Sequence, residues 1–319
     1  MAKAKNAALN AAGKAKEAEI YTKISDIEKE LRHYKEHFKD KIVFMNCDDP
    51  ETSNFWQYFM LNFSVLKLKK IIATHYETEK PSYKLEYSLL PDKNGQITFD
   101  VIKTPLKQNG DFRSPECIEI LKEADIVVTN PPFSLFREYI AQLIEYNKKF
   151  LIIGGQNNIT NKYIFPMLKE DKVWLGYYSG DMEFTVPDYY EPRATRYREE
   201  NGIKYRSMGN ICWYTNLDIP KRHEDIPIFR QYSKEEYQFY DNYDAINVNK
   251  VADIPVDYYG YMGVPITFMS KHNPKQFEII GLIAGNIKGL AGIPTKTGKD
   301  GPYINGKLKY GRVLIRRKL

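Results

Sequence analysis

The sequence predicts an α/β protein whose core is a doubly wound, mostly parallel sheet with helices on both faces. Two observations predict this fold class. Short apolar runs recur along the first half of the chain, and segments with helical apolar spacing separate most of them. The runs are 41–45, 70–74, 125–129, 149–153 and 172–176. Ligands of such sheets bind at the carboxyl ends of the strands, so residues that follow each run are the first site candidates.

The helices are expected in the following order. The first covers 17–38, because apolar residues recur at three- and four-residue steps from Ile24 to Phe38. An aromatic-rich helix is expected at 55–63. Residues 77–109 are polar and interrupted by prolines and Asn94-Gly95, which predicts an insertion that contains a β-hairpin. Further helices are expected at 115–122, 134–146 and 162–169.

The alternation of strands and helices stops near residue 183, where prolines, tyrosines and basic residues become frequent. We therefore expect three parts in the chain. They are a basic flexible arm at 1–16, an α/β domain at 17–182 and a second region at 183–319. One clear strand in the last region, 211–215, is expected to complete the sheet of the α/β domain.

Composition excludes several classes of protein. Apolar residues make up 43% of the 319 residues, which is enough for a packed core. No apolar run approaches the roughly 18 residues of a membrane span. The cysteines Cys47, Cys117 and Cys212 are far apart, so neither a disulfide framework nor a metal site is expected. Since the first residues lack the apolar segment of a signal peptide, we expect a cytoplasmic protein with no membrane partner.

Positive charge is concentrated at the two ends of the sequence. The chain has 47 basic and 41 acidic residues, a net charge of +6. Residues 1–16 contain four lysines and no acid, and residues 301–319 contain six basic residues and no acid. Because lysine and arginine displace counterions from phosphates, this distribution indicates a polyanionic partner such as nucleic acid. For 1–16, a solubilising tail is the alternative.

The segment Asn130-Pro-Pro-Phe133 directly follows the run 125–129 and precedes a predicted helix. The prolines fix φ and carry no N–H, so we expect the carbonyls of Pro131 and Pro132 to face the cleft above the sheet edge. The amide oxygen of Asn130 is a further acceptor, and Phe133 supplies a flat apolar face. These groups suit a planar heterocycle that bears an NH2 group. An ordinary turn between strand and helix is the alternative.

This motif predicts transfer of an electrophilic methyl group to such an amine. The amine is a weak nucleophile because its lone pair is conjugated into the ring. Acceptors that hold both N–H groups out of the ring plane expose the lone pair, so catalysis depends on positioning and electrostatics. No general base is needed, and no His or Glu adjoins the motif. We predict that the catalytic residues are Asn130, Pro131, Pro132 and Phe133.

A methyl donor needs a site beside this motif, and three segments are candidates. The first is the loop after the first strand, where carboxylates suit an ammonium group or a ribose, although the usual glycines are absent. Its residues are Asn46, Cys47, Asp48, Asp49 and Pro50. The second is Asp111 and Phe112, an acid and an aromatic ring that suit the amine and face of an adenine. A simple Asp-rich turn is the alternative for the first segment. The third candidate is Glu19-Ile-Tyr-Thr22 before the first helix, with a helix cap at Thr22 as the alternative.

Basic and aromatic residues alternate between 187 and 209, in a loop bounded by proline and glycine. Such a loop suits phosphate contacts and stacking on unpaired bases, and a solvated loop is the alternative because acids are interspersed. The predicted nucleic-acid contacts are Arg193, Arg196, Arg198, Lys204 and Arg206. Phe184 or Tyr189 is a candidate for a second ring that stacks on the bound base, and the sequence does not distinguish them.

Taken together, these segments resemble the adenine-specific DNA methyltransferases of class I fold, in particular the EcoRI-type family. The resemblance extends over nearly the whole chain and is densest in five blocks. They are Asn46-Cys-Asp-Asp-Pro50, 125–136, 149–153, Asp241-Asn-Tyr-Asp-Ala-Ile-Asn-Val-Asn-Lys250 and Met262-Gly-Val-Pro-Ile-Thr-Phe268.

The resemblance implies a Rossmann-like sheet and transfer of a methyl group from S-adenosylmethionine to N6 of adenine in double-stranded DNA. Tyr21 and Thr22 match the first donor contact of the family, and Asp111 with Phe112 match its adenine-binding acid. Residues 17–182 would bind the donor and carry the catalytic motif, and 183–319 would recognise DNA. The implied target is the palindrome GAATTC, methylated at its inner adenine after this base is flipped out of the helix.

A restriction-modification role is also implied, with a possible cognate restriction endonuclease that acts on the same site. Two alternatives stay open. An enzyme with the same motif could act on cytosine N4, on RNA or on a protein glutamine. A protein of this fold could also be a catalytically inactive DNA-binding module.

Overall fold

The computed structural model describes residues 20–47, 49–77, 81–91, 97–188, 190–285 and 287–318. The arm predicted at 1–16 lies outside these residues, as do Asp48 and Tyr189. Among the described helices, none combines the length and the apolar character that a membrane span requires.

A ten-stranded sheet dominates the first two thirds of the chain. Its strands are β1 (Tyr21–Thr22), β2 (Ile42–Met45), β3 (Lys70–Thr74), β4 (Tyr83–Pro91), β5 (Ile97–Pro105), β6 (Ile126–Thr129), β7 (Lys149–Gly155), β8 (Trp174–Val186), β9 (Tyr197–Glu200) and β10 (Ile203–Thr215). Their order is β1-β8-β10-β7-β6-β2-β3-β4-β5, and β9 pairs with β10 alone.

The centre of this sheet is parallel and its flanks are antiparallel. Strands β7, β6, β2 and β3 run parallel to one another, whereas β10 runs antiparallel to β7, and β4 and β5 continue antiparallel from β3. A mostly parallel sheet is therefore correct for the four central strands only. The reason is that parallel neighbours need a long crossover, while only a few residues separate β3 from β4 and β4 from β5 in the sequence. The hairpin predicted within 77–109 is formed by β4 and β5.

The crossovers of the central strands contain helices. The α-helices are α1 (Ile24–Leu31), α2 (Asn54–Leu61), α3 (Pro115–Glu123), α4 (Phe136–Glu145) and α5 (Phe165–Lys169). Serine caps begin two of them, because Ser53 Oγ accepts the Phe55 N–H at 3.2 Å and Ser114 Oγ accepts the Cys117 N–H at 3.2 Å. In α4 the buried residues are Phe136, Tyr139, Ile140 and Leu143, which is the spacing of one helix face.

The first helix differs from the prediction of 17–38. Tyr21 and Thr22 form strand β1, which pairs antiparallel with Thr185 and Phe184 of β8. Helix α1 begins only at Ile24, and a separate 3-10 turn covers Lys35–Phe38. The helical apolar spacing was real, since Ile27, Leu31, Tyr34 and Phe38 are buried, but it did not show where backbone pairing with a distant strand replaces the helix.

Two compact units divide the chain. One contains the residues up to Gln156 together with Tyr178–Leu217, and the other contains Asn157–Tyr177 and the residues from Asp218 onward. The boundary expected near residue 183 lies inside β8, so the structure divides the chain at other points. Residues 211–215, at the end of β10, pair with β7.

The second unit has a sheet of its own, which the sequence pattern did not reveal. Its order is β11-β12-β16-β13, and a separate hairpin joins β14 to β15. The strands are β11 (Ala245–Asn247), β12 (Tyr261–Pro265), β13 (Phe277–Ile283), β14 (Tyr303–Ile304), β15 (Lys307–Leu308) and β16 (Arg312–Arg317). Buried aromatic and aliphatic residues pack beneath it, among them Tyr240, Tyr243, Ile283 and Leu314.

Candidate active site

Asn130 follows β6 at the carboxyl edge of the parallel strands and is 4% exposed. Its amide nitrogen Nδ2 donates to the backbone carbonyl of Ile20 at 3.0 Å, which fixes the orientation of the side chain. Its oxygen Oδ1 is buried and accepts no hydrogen bond from the residues that the structure describes. An unsatisfied buried acceptor costs about 1–3 kcal/mol, so this oxygen is available to a ligand that brings a donor.

The two prolines differ in the use of their carbonyls. The carbonyl of Pro132 accepts the Leu135 N–H at 2.9 Å and begins the 3-10 turn Phe133–Leu135. The expectation that both proline carbonyls face the cleft is therefore wrong for Pro132, because the turn that ends the motif uses its oxygen. The carbonyl of Pro131 stays a predicted acceptor next to Asn130.

Phe133 is half-buried and lies against Phe184 of β8, which is completely buried. The ring centroids are 6.4 Å apart and the rings meet edge to face at 80°. Phe184 also pairs with Thr22 of β1. Of the two candidates for a second ring, Phe184 thus lies beside the motif, edge-on to Phe133, while Tyr189 is outside the described residues.

Strand β1 joins the predicted donor contact to the catalytic motif. Ile20, directly before this strand, accepts the hydrogen bond from Asn130. Thr22 is buried, and its carbonyl accepts from Asn54 Nδ2 at 2.8 Å. Its hydroxyl Oγ1 has no hydrogen-bond partner within the described part of the chain. Tyr21 is half-buried and pairs with Thr185. A second orphaned polar atom therefore lies two residues from the carbonyl that orients Asn130.

The loop after β2 is held by its own side chains. Asn46 Oδ1 accepts hydrogen bonds from the hydroxyl of Tyr139 and, at 3.6 Å, from Cys47 Sγ. Asp49 Oδ1 accepts from the hydroxyl of Tyr83 at 2.9 Å and from the Glu51 N–H at 3.1 Å. The amide oxygen of Asn46 is thus engaged in the core, whereas both hydrogen bonds to the Asp49 carboxylate are accepted by its Oδ1. Cys47 is half-buried, Pro50 is buried and Asp48 is not described.

Asp111 and Phe112 follow a glycine that the backbone requires. Gly110 has φ +79°, and a Cβ there would lie 1.8 Å from the carbonyl oxygen of His75. Arg113 donates to both carboxylate oxygens of Asp111, at 2.9 and 2.7 Å. These hydrogen bonds hold the pKa of Asp111 below its ordinary value, so the carboxylate stays ionised at neutral pH.

Tyr139 of α4 connects the two predicted donor segments, which sequence reasoning missed. Its hydroxyl donates to Asn46, and its ring meets the buried ring of Phe112 edge to face, with centroids 5.0 Å apart. Burial raises the pKa of Tyr139 well above its ordinary value, so it remains a donor. The buried spacing of α4 marks Tyr139 as a core residue, but no sequence signal shows which loops it reaches.

The predicted nucleic-acid contacts lie on or beside a β-hairpin, not in an open loop. Strands β9 and β10 pair from Tyr197 to Arg206 around Asn201-Gly202, whose φ values of 51° and 75° fit a tight hairpin turn. The Asn-Gly pair is a strong hairpin signal that the sequence offered. The exposed basic residues are Arg193, Arg196 and Arg198, and the half-buried ones are Lys204 and Arg206.

The charges of this hairpin are compensated to different degrees. Arg198 donates to both oxygens of Glu183, at 2.8 and 2.9 Å, contacts Glu200, and lies 3.9 Å from the centroid of the Tyr205 ring. Lys204 donates to the backbone carbonyls of Asp188 and Tyr190.

The other three arginines of the set contact a backbone carbonyl, a carboxylate and a ring. Arg206 donates to the Thr195 carbonyl at 2.9 Å. Arg196 is 3.7 Å from Asp181, and Arg193 lies over the Tyr190 ring at 5.8 Å. In the part of the chain that the structure describes, no cluster of three His, Cys, Asp or Glu side chains could hold a metal ion.

Comparison with known proteins identifies the family of this chain. The family model described as adenine-specific methyltransferase EcoRI matches residues 8–318. The chain is 48% identical to the type II methyltransferase M.EcoRI of Escherichia coli, over 99% of this chain and 98% of that protein.

Two mycoplasma proteins are also similar over almost their full length. Identity is 40% to the type II methyltransferase M.MgeORF184P of Mycoplasma genitalium, over 97% of this chain and 98% of the relative. It is 37% to M.MpnI of Mycoplasma pneumoniae, over the same shares of the two chains. No solved structure matches the chain. The matching family model and relatives that align from end to end show that this chain belongs to the EcoRI family of adenine-specific methyltransferases.

Proposed function

We propose that this enzyme transfers the methyl group of S-adenosylmethionine to N6 of an adenine that is flipped out of duplex DNA. The target is a GAATTC-like palindrome, methylated at the inner adenine. The cellular role is the modification half of a restriction-modification pair, with a cognate endonuclease that cuts the same unmethylated site. The relatives named type II methyltransferases support that role.

The observation that carries the proposal is the unsatisfied oxygen of Asn130. Because Nδ2 is bound to Ile20, the side chain presents Oδ1 and not its NH2 group toward a ligand. Together with the Pro131 carbonyl, this oxygen accepts the two N–H groups of the N6 amine. Acceptors of this kind hold the amine so that its lone pair is exposed, and they act by positioning and electrostatics.

The residues near the motif fit a bound S-adenosylmethionine. When bound, it supplies an electrophilic methyl group. The orphaned hydroxyl of buried Thr22 offers it a hydrogen bond, and the ionised Asp111 with the ring of Phe112 suits its adenine moiety. Asp49 Oδ2 suits a ribose or ammonium group. We assign Asn46 to shaping this loop, because its oxygen already accepts from Tyr139.

Phe133 supplies a half-buried face for the flipped base, and Phe184 closes the other side of the motif. Flipping costs a few kcal/mol, which stacking and contacts to the DNA backbone offset. The basic hairpin β9–β10 is proposed to supply such contacts through Arg193, Arg196, Lys204 and Arg206.

We further propose a class I, Rossmann-like arrangement for the parallel strands β7-β6-β2-β3 with their crossover helices. In that arrangement residues 17–182 bind the donor and carry the catalytic motif, with 77–109 as an insertion. Residues 183–319 contain the DNA-recognition region, and 211–215 complete the catalytic sheet. Parallel strands that meet at one edge, where Asn46 and Asn130 both lie, support this assignment.

The test is methyl transfer from radiolabelled S-adenosylmethionine to short duplexes. We expect label on a GAATTC duplex, and N6-methyladenine as the modified nucleoside by mass analysis. A duplex premethylated at both inner adenines and a duplex with a scrambled site are the controls. Transfer to RNA or to cytosine N4 would contradict the proposal, and label on the scrambled duplex would contradict the target.

A further inference from the structure

In the second unit, the side chains of the adjacent residues Asp241 and Asn242 hydrogen-bond to the backbone of nearby loops. Asn242 is 1% exposed, and its Nδ2 donates to the carbonyls of Lys299 and Gly301 at 2.7 and 2.8 Å. Its Oδ1 accepts the Tyr303 N–H at 3.3 Å. The side-chain amide of Asn242 therefore binds three backbone groups of these loops, namely two carbonyls and one N–H.

Asp241 holds the tip of the hairpin β14–β15. Its carboxylate accepts the N–H groups of Asn305 and Gly306, at 3.1 and 2.8 Å. The two residues at that tip have φ values of 52° and 73°, as a tight hairpin turn requires. We call residues 296–301 and 303–310 the anchored loops. Because Asp241 and Asn242 satisfy their backbone groups, the anchored loops are preorganised.

The exposed side chains of the anchored loops include three lysines and a tyrosine, beside Leu308, which is 49% exposed, and the half-buried acid Asp300. Lys299, Lys307 and Lys309 are exposed, and Tyr310 is 87% exposed. Lys299 Nζ lies 5.8 Å from the centroid of the ring of Tyr303, a residue of the hairpin β14–β15. From 301 to 318 the sequence has no acid, so the lysines at 307 and 309 have no acidic neighbour along this segment.

We propose that the anchored loops bind the phosphodiester backbone of duplex DNA through Lys299, Lys307 and Lys309, with Tyr310 against the sugars. This inference rests on the proposed DNA substrate and adds a contact surface separate from the hairpin β9–β10. The backbone of the anchored loops is already ordered before DNA binds. Binding therefore costs less entropy than it would for flexible loops that carry the same three lysines. An amphipathic ring among cations suits the alternating sugar and phosphate of the backbone.

The test is the salt dependence of duplex binding by the full chain. The variant Lys299→Gln, Lys307→Gln, Lys309→Gln is compared with wild type and with a matched control, Lys35→Gln, Lys39→Gln, Lys41→Gln. The control lysines are exposed and precede β2, at the end of the sheet opposite the catalytic motif. Each phosphate contact contributes about 0.9 to the slope of log affinity against log salt.

We expect the slope of the first variant to fall by roughly 2 to 3, and that of the control to equal wild type. An unchanged slope in the first variant would overturn the inference. A measurement without substitutions gives a second answer: reductive methylation of wild-type lysines, with DNA bound, should spare Lys299, Lys307 and Lys309 relative to the control lysines. Equal labelling of the two sets would also overturn it.

The salt-dependence test of the anchored loops and the methylation test of the proposed function can fail independently of each other. If the wild type methylates DNA adenine while the first variant keeps its slope, only the inference fails. If the slope falls as expected but no methyl group reaches DNA, the inference stands and the proposed function fails.

Discussion

The side-chain amide of Asn130 donates to the backbone carbonyl of Ile20 across 3.0 Å, although 110 positions separate the two residues. This bond has two consequences for the site. It turns the oxygen of Asn130 toward the place where a substrate amine is proposed to bind, and it holds the start of β1 against the motif. The same strand pairs with Phe184, so one short segment orders both the acceptor and the ring beside Phe133.

Replacing Asn130 with alanine should abolish turnover and leave donor binding nearly intact. The variant loses the orphaned acceptor, and loss of one preorganised hydrogen-bonding group typically lowers kcat by about 100- to 1000-fold. Calorimetric titration with S-adenosylmethionine and a single-turnover methylation assay measure the two effects. Asn130→Asp is the matched variant, since it keeps an oxygen acceptor but loses the bond to Ile20. We expect the rate of Asn130→Asp to lie between those of wild type and Asn130→Ala. An Asn130→Ala variant that methylates at the wild-type rate would disprove the acceptor role.

Substitutions of Phe133, in the motif, and of Phe184, beside it, should separate stability from activity. Phe184→Ala removes a completely buried ring and should lower the free energy of unfolding by about 3–5 kcal/mol, measured by urea denaturation. Phe133 is half-buried, so Phe133→Ala should cost less stability but weaken base capture, since stacking contributes roughly 1–3 kcal/mol per base. Fluorescence of 2-aminopurine at the target position reports flipping. An unchanged signal in Phe133→Ala would show that this ring does not hold the base.

Much of the central sheet was predictable because its cause is local. The strand Lys70–Thr74 and the hairpin at 77–109 follow directly from apolar runs and turn residues. The same is true of the motif that begins at Asn130, whose position after a buried strand is a sequence property. What was missed depends on pairing between distant segments. Nothing near Tyr21 shows that it joins β8, and that pairing is what shortens the first helix.

For the same reason, the sequence did not predict which groups the site residues bind. Arg198 was expected to contact DNA because it lies among basic and aromatic residues, but the hairpin places Glu183 and Glu200 around its guanidinium. Likewise, the carbonyl of Pro132 was expected to be free, and a turn formed by the next three residues uses it. Such partners follow from the folded geometry, which composition and spacing do not contain.

The ion pair between Glu183 and Arg198 should make stability depend on acid pH. Hydrogen bonds from Arg198, together with Lys23, lower the pKa of Glu183 to about 2 from its ordinary value of 4.5. A depressed pKa contributes stability that is complete above about pH 4.5 and is lost as the pH falls toward 2. Urea midpoints of wild type and Glu183→Gln should therefore differ most near pH 7, differ less at pH 3 and converge near pH 2. Glu36→Gln, which changes an exposed carboxylate, is the control, and a constant difference for Glu183→Gln would contradict the coupling.

The basic residues of the hairpin should contribute unequally to DNA binding. Lys204 and Arg206 contact backbone carbonyls, so their charges are available to phosphates, whereas carboxylates already compensate Arg198. Lys204→Gln and Arg206→Gln should each lower the salt slope by about 0.9, and Arg198→Gln should lower it by much less. Fluorescence anisotropy with a duplex at several salt concentrations measures these slopes. The largest decrease in Arg198→Gln would mean that DNA displaces its acidic partners.

Replacing Gly110 with any residue that has a side chain should destabilise the protein. Gly202 serves as the control because its φ angle is almost the same. Gly110 and Gly202 have φ values of 79° and 75°, so alanine costs about 1–2 kcal/mol of backbone strain at either position. At Gly202 the added Cβ meets open space, but at Gly110 it would lie 1.8 Å from the His75 carbonyl oxygen and must displace backbone. Because Asp111 follows directly, we expect Gly110→Ala to lose more stability than Gly202→Ala and also to lose donor affinity. Thermal unfolding and titration with S-adenosylmethionine test both effects. Equal unfolding temperatures, or unchanged donor affinity in Gly110→Ala, would show that this turn does not position the Asp111 carboxylate.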